Sequence, residues 1–356
     1  MHTIETLLRK RLIICVGCGG VGKTTTAAAL ALAGALHGRR AAVITVDPAR
    51  RLKDALGLEG LSIEPQRVNV DGTSHFDALA LDTKRTFDAI IQRFAPNAAV
   101  ADRILANRLY QELSNELAGS AEYMAMEKLH ELLHVHHYQP LIVDTPPSTH
   151  VRELLTAPNR LTNLLASRAV SLLQAPASLL SGSSTAARLA LSTLLKALER
   201  WTGLSVLHDL ADLAAGFEHM VEGFQTRAEE VNRLLRAPAT AFVLVTTPEP
   251  HTVETTIGFH HELREGGFPI AGIIANRVLA FPSLDHPAAA TAGWDEPLRK
   301  KLLRNYAELH ELSRRDQRAL RQLHTETQAP LLAAVPAVTN APTSLAGLQR
   351  FAASLV

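Results

Sequence analysis

The chain has 356 residues, and 47% of them are hydrophobic, which suffices for the core of one large α/β domain or two small ones. Its 36 Lys and Arg residues nearly balance its 35 Asp and Glu residues, so it lacks the overall positive charge that favours nucleic acid or an anionic membrane. Its two cysteines, Cys15 and Cys18, exclude a disulfide framework and fit a reducing cytoplasm.

A short helix and a buried strand are predicted at the start of the chain. Residues 1–17 include an acidic residue and no long apolar stretch that ends in small residues. They are therefore not typical of a signal peptide, and we expect a cytoplasmic protein. The continuous apolar run Leu12 to Val16 predicts the strand, and the Ala- and Leu-rich run Thr24 to Leu36 predicts the helix after it.

Residues 17–24, GCGGVGKT, lie between this strand and this helix and match the phosphate-loop pattern GxxxxGK[ST]. The glycines let consecutive N–H groups point at phosphate oxygens. Lys23 is expected to reach the β- and γ-phosphates, and Thr24 to place its hydroxyl on Mg²⁺. The predicted nucleotide-binding residues within the pattern are Gly19, Gly20, Val21, Gly22, Lys23 and Thr24. A glycine-rich turn without nucleotide is the alternative, and the position between strand and helix disfavours it.

Four further apolar runs predict more strands of the same sheet. They are Ala41 to Val46, Pro140 to Val143, Ala241 to Val245 and Ile270 to Ala275, and they end at Asp47, Asp144, Thr246 and Asn276. Buried strands that alternate with helices indicate an α/β fold with a doubly wound, mostly parallel sheet of the P-loop NTPase type. Ligands bind at the carboxyl ends of such strands, which is where these polar residues fall.

Two aspartates at these strand ends are candidates for phosphoryl-transfer chemistry. Asp144 is the natural second carboxylate of the Mg²⁺ shell, with a turn or helix-capping residue as the alternative. Asp47 falls where a carboxylate could orient a water molecule toward the γ-phosphate, with a cap of the helix after Pro48 as the alternative. Asp47 and Lys23 are therefore the predicted catalytic residues, and Thr24 and Asp144 are the predicted metal ligands.

Two long stretches, residues 75–138 and 151–235, have the spacing of apolar residues that is typical of helices. We interpret them as a helical subdomain of one ATPase domain that spans residues 1–356, because the strands on either side are needed to complete one core. The second stretch would either bind a hydrophobic client helix or lipid-like molecule, or pack within the subunit or across a dimer. It holds one methionine, Met220, whereas grooves that accept many helices are Met-rich, so packing is favoured.

Three smaller features lie outside the predicted phosphate site. His134, His136 and His137 form a cluster without a carboxylate or cysteine at ligand spacing, so metal binding there is not favoured. Glu249 follows the strand at 241–245 and could contact nucleotide or a dimer partner. The C-terminal run SLAGLQRFAASLV predicts a helix, and because Arg350 is its only cation, docking onto the sheet is favoured over membrane binding.

Four blocks, in order along the chain, resemble the ArsA family, which includes the arsenite-efflux pump ATPase and the ATPase that targets tail-anchored membrane proteins. They are GCGGVGKTTT at Gly17, VDPARRLKDALG at Val46, VDTPPSTH at Val143 and IIANR at Ile273. With the C-terminal VPAVTNAPTSLAGLQRF they span nearly the whole chain. The resemblance implies a P-loop fold of the deviant Walker A class, with ATP and Mg²⁺ as cofactors. It also implies ATP hydrolysis in a homodimer, or in a heterodimer with a related ATPase, coupled to an unknown client or membrane-protein partner.

The resemblance further implies roles for single residues. Gly19 to Thr25 would form the phosphate loop, with the last hydroxyl on the α-phosphate. Asp47 would activate water, and Asp54 would match a later acidic position of the same switch. Asn276 would recognise adenine, where the residues alone also allow a plain turn. The segment Pro336 to Thr343 would cover the base.

Three departures from the family pattern concern cysteines. At Cys18 the family usually has a lysine that reaches across the dimer to the partner's phosphates, and an uncharged thiol cannot replace it. Either Arg50 or Arg51 supplies that charge, or hydrolysis is slower. The zinc-binding cysteine pair of the targeting ATPases has no counterpart, and the Cys-x-x-Cys spacing of Cys15 and Cys18 lacks a second pair, so we expect no zinc. The thiols that bind trivalent arsenic are missing too, so we expect no arsenite binding.

Several functions stay open on the sequence. The leading interpretation is an ATP-hydrolysing dimeric switch. A nucleotide-binding subunit with weak or no hydrolysis, partnered in a heterodimer, is the main alternative. A partition ATPase that coats DNA is disfavoured by the near-neutral charge, so we expect no nucleic-acid partner. A small-molecule kinase or dethiobiotin-synthase-like ligase shares the loop type, but the DPAR and DTPPSTH blocks argue against it.

Overall fold

The computed structural model describes residues 3–46, 51–107, 110–111, 121–147, 155, 223, 226–281, 293–338 and 342–355. The strands in these ranges are β1 Leu12–Val16, β2 Ala42–Thr45, β3 Gln66–Asn69, β4 His75–Ala80, β5 Leu141–Asp144, β6 Thr240–Thr246, β7 Ile270–Val278 and β8 Leu331–Pro336. They form one sheet in the order β3-β4-β2-β5-β1-β6-β7-β8. Strand β3 runs antiparallel to β4, and the other neighbouring strands run parallel.

Helices connect these strands. They are α1 Ile4–Leu8, α2 Lys23–Leu36, α3 Arg51–Leu56, α4 Thr83–Phe94, α5 Ala98–Ala106, α6 Ala121–His134, α7 at residues 226–236, α8 Pro250–Glu265, α9 Glu296–Thr327 and α10 Leu345–Ala353. The α/β class with a mostly parallel sheet, expected from the sequence, is confirmed. In the parts of the chain that the structure describes, no helix combines the length and the apolar character needed to cross a membrane.

The central strands explain why the sequence shows continuous apolar runs. Every residue of β1, β2, β5 and β6 is buried. Helix α2 is built mainly from Ala and Leu and packs on β1, β2, β4 and β5. Because a strand buried on both faces has no solvent-facing side, it loses the alternation of apolar and polar residues that a half-exposed strand keeps.

The strand register brings polar residues to one edge of the sheet. Thr45 of β2 and Cys15 of β1 both lie beside Asp144 of β5. Since these three strands are parallel, the loops that follow them leave the sheet on the same side. This is the edge at which open α/β sheets bind their ligands.

Four strands differ from the sequence prediction. Residues 75–80 form β4, so the helical stretch predicted at 75–138 is wrong at its start, because this segment pairs with β2. The two edge strands of the sheet, β3 and β8, were also not predicted, and in β3 only Val68 is buried, which leaves little apolar signal. Strand β7 was predicted to end at Ala275, but it continues to Val278, with Arg277 at a positive φ of 57°.

Contacts divide the chain into two compact units. The first comprises Met1–Ala80, Val135–Val151 and Leu234–Val356, and it holds the sheet. The second comprises Leu81–His134 and Arg152–Arg233, and its described part is helical. Its core contains Ile90, Ile91, Ala101, Ile104, Tyr110, Tyr123, Met124 and Ala228. Most of the predicted helical stretch 151–235, with its possible client groove, lies outside the described residues.

The C-terminal helix α10 docks within the first unit. Its N-cap residue is Ser344, whose hydroxyl accepts a hydrogen bond from the Gly347 amide at 3.3 Å. Leu348, Phe351 and Leu355 are buried in the main hydrophobic core, where α10 packs against α2 and α3. The C-terminal helix predicted from the sequence is confirmed, but it was expected to dock onto the sheet, whereas the elements it packs against are helices α2 and α3.

Candidate functional site

The glycine-rich loop between β1 and α2 requires glycine at two positions. Gly17 has a φ of +153°, and a Cβ atom added there would lie 2.1 Å from the carbonyl oxygen of Val245. Gly22 has a φ of +98°, and its added Cβ would lie 2.2 Å from the side-chain nitrogen of Asn276. Other side chains would therefore clash with the neighbouring strands β6 and β7. The loop is a tight cradle of backbone groups at the sheet edge, which is the form a phosphate site takes.

Lys23 is the first residue of α2, and its side chain folds back over this cradle. Its ammonium donates a hydrogen bond to the carbonyl oxygen of Cys18 at 2.7 Å, and the residue is only 6% exposed. A buried ammonium needs anionic or hydrogen-bonding partners, and here it lies at the positive end of a helix. Lysine, backbone N–H groups and helix terminus together fit a polyphosphate.

Asp144 joins the phosphate loop to β2 through two threonine hydroxyls. The hydroxyls of Thr24 and Thr45 both donate to Oδ2 of Asp144, at 2.8 and 2.9 Å, and Asp144 is fully buried. Thr24 follows Lys23 in the first turn of α2, so the helix brings its hydroxyl to the end of β5. Hydroxyl and carboxylate oxygens are the ligands that Mg²⁺ prefers. The two predicted metal ligands, Thr24 and Asp144, therefore lie in direct contact.

Cys15 and Cys18 have different environments. Cys15 is a fully buried residue of β1, whereas Cys18 is half-buried in the loop. Burial, reinforced by the charge of Asp144, raises the pKa of the Cys15 thiol far above its ordinary value. Cys15 therefore stays a protonated core residue, which argues against a Cys-x-x-Cys redox pair.

Asn276 supports the phosphate loop from β7. Its side-chain amide donates to the carbonyl oxygen of Val21 at 2.8 Å, and its side-chain oxygen accepts from the Arg277 amide at 2.9 Å. Adenine recognition by Asn276 stays a prediction, and the amide group keeps a second N–H and a second lone pair for such a contact. Thr25, predicted to touch the α-phosphate, lies half-buried in the first turn of α2.

Other predicted residues have varied placements. Asp47 and Arg50 lie outside the described residues. Asp54 is on α3 with its side chain 64% exposed, 3.7 Å from the ammonium of Lys53. Arg51 begins α3 and is exposed. Of the segment Pro336 to Thr343, only residues 336–338 and 342–343 are described, with Pro336 at the end of β8.

Sequence reasoning missed two polar contacts at this edge. Thr45, the hydroxyl partner of Asp144, interrupts the apolar run AAVITV just before Asp47, and that interruption was the available signal. Thr145, next to Asp144, is buried and donates to the carbonyl oxygen of Cys15 at 2.8 Å. Nothing in the sequence pairs Thr145 with a strand 130 residues earlier.

Glu249 belongs to a local network at the start of α8. The hydroxyl of Thr247 donates to the Glu249 carboxylate, and the hydroxyl of Thr252 donates to the Glu249 carbonyl oxygen at 2.8 Å. These bonds fix the loop after β6. A contact of Glu249 with nucleotide or with a dimer partner stays a prediction.

Comparisons with known proteins agree with this geometry. The model of a family described as anion-transporting ATPase, ArsA_ATPase, matches residues 10–312. The chain is 28% identical over 166 residues to a protein named ATPase GET3 of Malassezia globosa, which covers 46% of the chain and 48% of that relative. It is 31% identical over 147 residues to ATPase ASNA1 homolog 1 of Paramecium tetraurelia, which covers 40% of the chain and 42% of the relative. The chain thus spans about half the length of the curated relatives it matches.

Proposed function

The chain belongs to the ArsA family of ATPases, and from that premise we propose that it binds ATP with Mg²⁺ and hydrolyses it as a dimeric switch. The observation that carries the proposal is the contact between Thr24 and Asp144 at the mouth of the phosphate loop. This contact brings together the two predicted Mg²⁺ ligands. Lys23, the residue before Thr24, lies over the loop and donates a hydrogen bond to the carbonyl oxygen of Cys18.

Each described residue has a definite part in this proposal. The loop backbone and Lys23 hold the phosphates and orient the γ-phosphate. Thr24 and Asp144 hold Mg²⁺, with Asp144 kept in place by the hydroxyl of Thr45. Bound Mg²⁺ supplies positive charge where phosphoryl transfer develops negative charge. The fit rests on these oxygen ligands and on a loop in which an added Cβ would clash.

Asp47 is proposed to orient the attacking water molecule. Support comes from β2, which ends at Thr45 beside Asp144, so the chain leaves the sheet at the proposed Mg²⁺ site. The Val46 amide, one residue before Asp47, also donates to the carbonyl oxygen of Asp144 at 3.0 Å. From this point in the chain, the carboxylate of the next residue is proposed to reach a water molecule near the γ-phosphate.

The dimer and the client are proposed from the family. Cys18 stands where a lysine usually crosses to the partner's phosphates, so Arg50 or Arg51 is proposed to supply positive charge. We propose one ATPase domain, with the second unit as its helical subdomain, working in the cytoplasm as a homodimer or with a related ATPase. For the stretch 151–235 we propose packing within the subunit or across the dimer, with binding of a hydrophobic client helix of a membrane protein as the alternative.

A second candidate function is a nucleotide-binding subunit with little hydrolysis of its own. The specific observation in its favour is Cys18, an uncharged thiol at the position of the family's lysine. Such a subunit would bind ATP with the same loop but depend on a partner subunit for turnover.

Steady-state phosphate release by the purified chain, measured beside ATP binding, tests the proposal. We expect turnover that falls roughly 10²- to 10³-fold in Lys23→Ala, because the group that stabilises the phosphates is lost. Lys300→Ala is the matched control, since Lys300 is 76% exposed on α9 and should leave turnover unchanged. ATP binding without phosphate release would favour the second candidate. Turnover that survives in Lys23→Ala would contradict the first.

A further inference from the structure

Helix α6 carries the sequence HELLH at residues 130–134, which places two histidines on one helix face. Residues four apart in a helix are neighbours on its surface. The rings of His130 and His134 are stacked, with centroids 4.2 Å apart and an interplanar angle of 26°. An H-E-x-x-H pattern on a helix is a spacing at which two imidazoles can bind one metal ion.

Glu230 of α7 brings a carboxylate to the same place. One of its oxygens lies 2.7 Å from Nε2 of His130, although the two residues are 100 apart in the chain. One possible ligand atom from each of His130, His134 and Glu230 lies within 4.8 Å of the others. The predicted cluster of His134, His136 and His137 lacked a carboxylate at ligand spacing, and the fold supplies one to His134 from a distant helix.

The tautomer of His134 suits a ligand. Its Nδ1 lies 2.9 Å from the carbonyl oxygen of His130. A carbonyl oxygen can only accept, so Nδ1 carries a proton, and in the neutral imidazole Nε2 then keeps its lone pair. Metal-binding histidines typically donate from the other ring nitrogen in this way, which fixes the ring and its tautomer.

Helix packing alone explains part of this arrangement. Arg227 and Glu127 form a buried ion pair at 2.6 Å, one turn before the contact of Glu230 with His130. Two successive rungs therefore tie α6 to α7. His134 takes part in neither of these two contacts, although it is exposed and stacked on His130. The buried rung fixes the spacing of the helices, so the three ligands start near their final positions.

We propose that His130, His134 and Glu230 bind one divalent transition-metal ion, with Zn²⁺ as the best match. Two imidazoles and one carboxylate form a ligand set that Zn²⁺ uses, and a fourth position is left for water. Imidazole ligands also favour such ions over Mg²⁺ and Ca²⁺. Binding brings the ligand atoms to about 3.3 Å from one another, the edge length of a tetrahedron with bonds of about 2.0 Å. It therefore replaces the 2.7 Å hydrogen bond between His130 and Glu230, and the proton that Nε2 of His130 donates there is released to solvent.

The site is proposed as a metal tie between helices. Glu131, the acidic residue of the HELLH sequence, is held by the ammonium of Lys128 at 3.0 and 3.2 Å from its two oxygens. That ion pair neutralises the carboxylate which would otherwise serve as a base. The bound ion instead adds a third link between α6 and α7 beyond the Glu127–Arg227 pair, and it stabilises the second unit by mass action.

Metal titration of the purified 356-residue chain tests the proposal. After treatment with a chelator and its removal, Zn²⁺ is added in competition with a coloured indicator, and the melting temperature is followed in parallel. We expect one equivalent to bind and to raise the melting temperature of the wild type. His134→Ala and Glu230→Gln should each weaken Zn²⁺ binding by at least about 10-fold. Mg²⁺ should produce no shift at equal concentration.

Matched variants keep the test specific. His251→Ala removes an exposed histidine from α8, and Glu131→Gln removes the neighbouring carboxylate of α6; both should bind Zn²⁺ as the wild type does. Since His134 is exposed, His134→Ala should keep the metal-free melting temperature, which separates lost binding from misfolding. Cobalt(II) absorption in the visible range should report tetrahedral coordination in the wild type and vanish in His134→Ala. No Zn²⁺ binding, or equal binding in His134→Ala, overturns the proposal.

Discussion

Two buried carboxylates, one at the sheet edge and one between two helices, are held by different partners. Asp144 accepts hydrogen bonds from the neutral hydroxyls of Thr24 and Thr45. Glu127 accepts a hydrogen bond from the guanidinium of Arg227 at 2.6 Å, and the hydroxyl of Tyr123 also donates to it. Burial raises the pKa of Tyr123, so that hydroxyl remains a donor.

The two arrangements differ in whether the partners of the carboxylate can also bind a cation. A threonine hydroxyl donates one hydrogen bond and keeps lone pairs, so Thr24 can turn its oxygen to a cation that Asp144 also binds. A guanidinium has donors only, so Arg227 can only donate to Glu127, and this ion pair joins α6 to α7. A buried carboxylate thus suits a ligand site when its partners can change role, and it suits a structural tie when they cannot.

The largest expected effect on stability comes from breaking the ion pair of Glu127 and Arg227, which we call the helix tie. In Arg227→Met, Glu127 stays buried after its cation is lost, so the second unit should lose about 3–5 kcal/mol of stability. Urea unfolding, combined with hydrogen exchange of the α6 amides, measures this loss. The double variant Glu127→Gln with Arg227→Met should recover part of it, because no charge is left buried.

An exposed ion pair gives the control for that measurement. Arg304 is 81% exposed on α9 and pairs with Glu308 at 3.0 Å. Arg304→Met should therefore cost less than about 1 kcal/mol. If Arg227→Met lowers the free energy of unfolding no more than Arg304→Met does, the claim that the Glu127–Arg227 pair is a structural tie is contradicted.

The sheet edge could be predicted because its information is local. The pattern GCGGVGKT identifies the phosphate loop. An apolar run that ends in Asp144 predicts a carboxylate at the carboxyl end of a parallel strand. Parallel pairing then brings the two together without knowledge of distant contacts. The edge strands were harder to predict. In β3 only Val68 is buried, so the strand has no repeating pattern of apolar residues.

The helix tie could not be predicted from the sequence. Arg227 and Glu127 are 100 residues apart, as are Glu230 and His130. Apolar periodicity predicts that α6 and α7 are helices, but it does not predict which faces meet. The spacing of His130 and His134 was readable in HELLH, whereas the third proposed ligand depends on that unpredicted contact.

Asn276→Ala probes the ligand side of the comparison and should have an intermediate effect. Its amide donates to the Val21 carbonyl oxygen under the phosphate loop. Loss of a donor to a buried acceptor costs about 1–3 kcal/mol, so affinity for tripolyphosphate should fall roughly 5- to 150-fold. Calorimetric titration with tripolyphosphate and with ATP measures it, since a loss confined to ATP would reflect adenine recognition instead of loop support.

The outcome for Asn276 has a clear control. Asn97 caps α5 in the second unit, where its side chain accepts from the Val100 amide at 3.0 Å. Asn97→Ala removes an asparagine of similar local use, and it should leave tripolyphosphate affinity unchanged. Unaltered tripolyphosphate binding in Asn276→Ala would show that the loop keeps its shape without this support.

The smallest expected effect concerns Asp71, a carboxylate that accepts several hydrogen bonds, as a buried carboxylate does, but is exposed to solvent. Asp71, in the turn between β3 and β4, accepts from the amide of Ser74 at 2.5 Å and from the amide and hydroxyl of Thr73 at 2.8 and 3.0 Å. These bonds, that from the Ser74 amide first, lower the pKa of Asp71 from 3.8 to about 2.

The pH dependence of Asp71 follows from the direction of that shift. A folded pKa below the unfolded one means that its stabilising contribution is complete above pH 3.8 and is lost as the pH falls toward 2. Carboxyl NMR titration should give a midpoint near 2 in the wild type. The midpoint should rise in Thr73→Ala, which removes the hydroxyl donor and leaves the two amides. Because Asp71 faces water, solvent screens its hydrogen bonds, and a midpoint of 3.8 in both proteins would mean that donors alone, without burial, do not hold a carboxylate in its charged form.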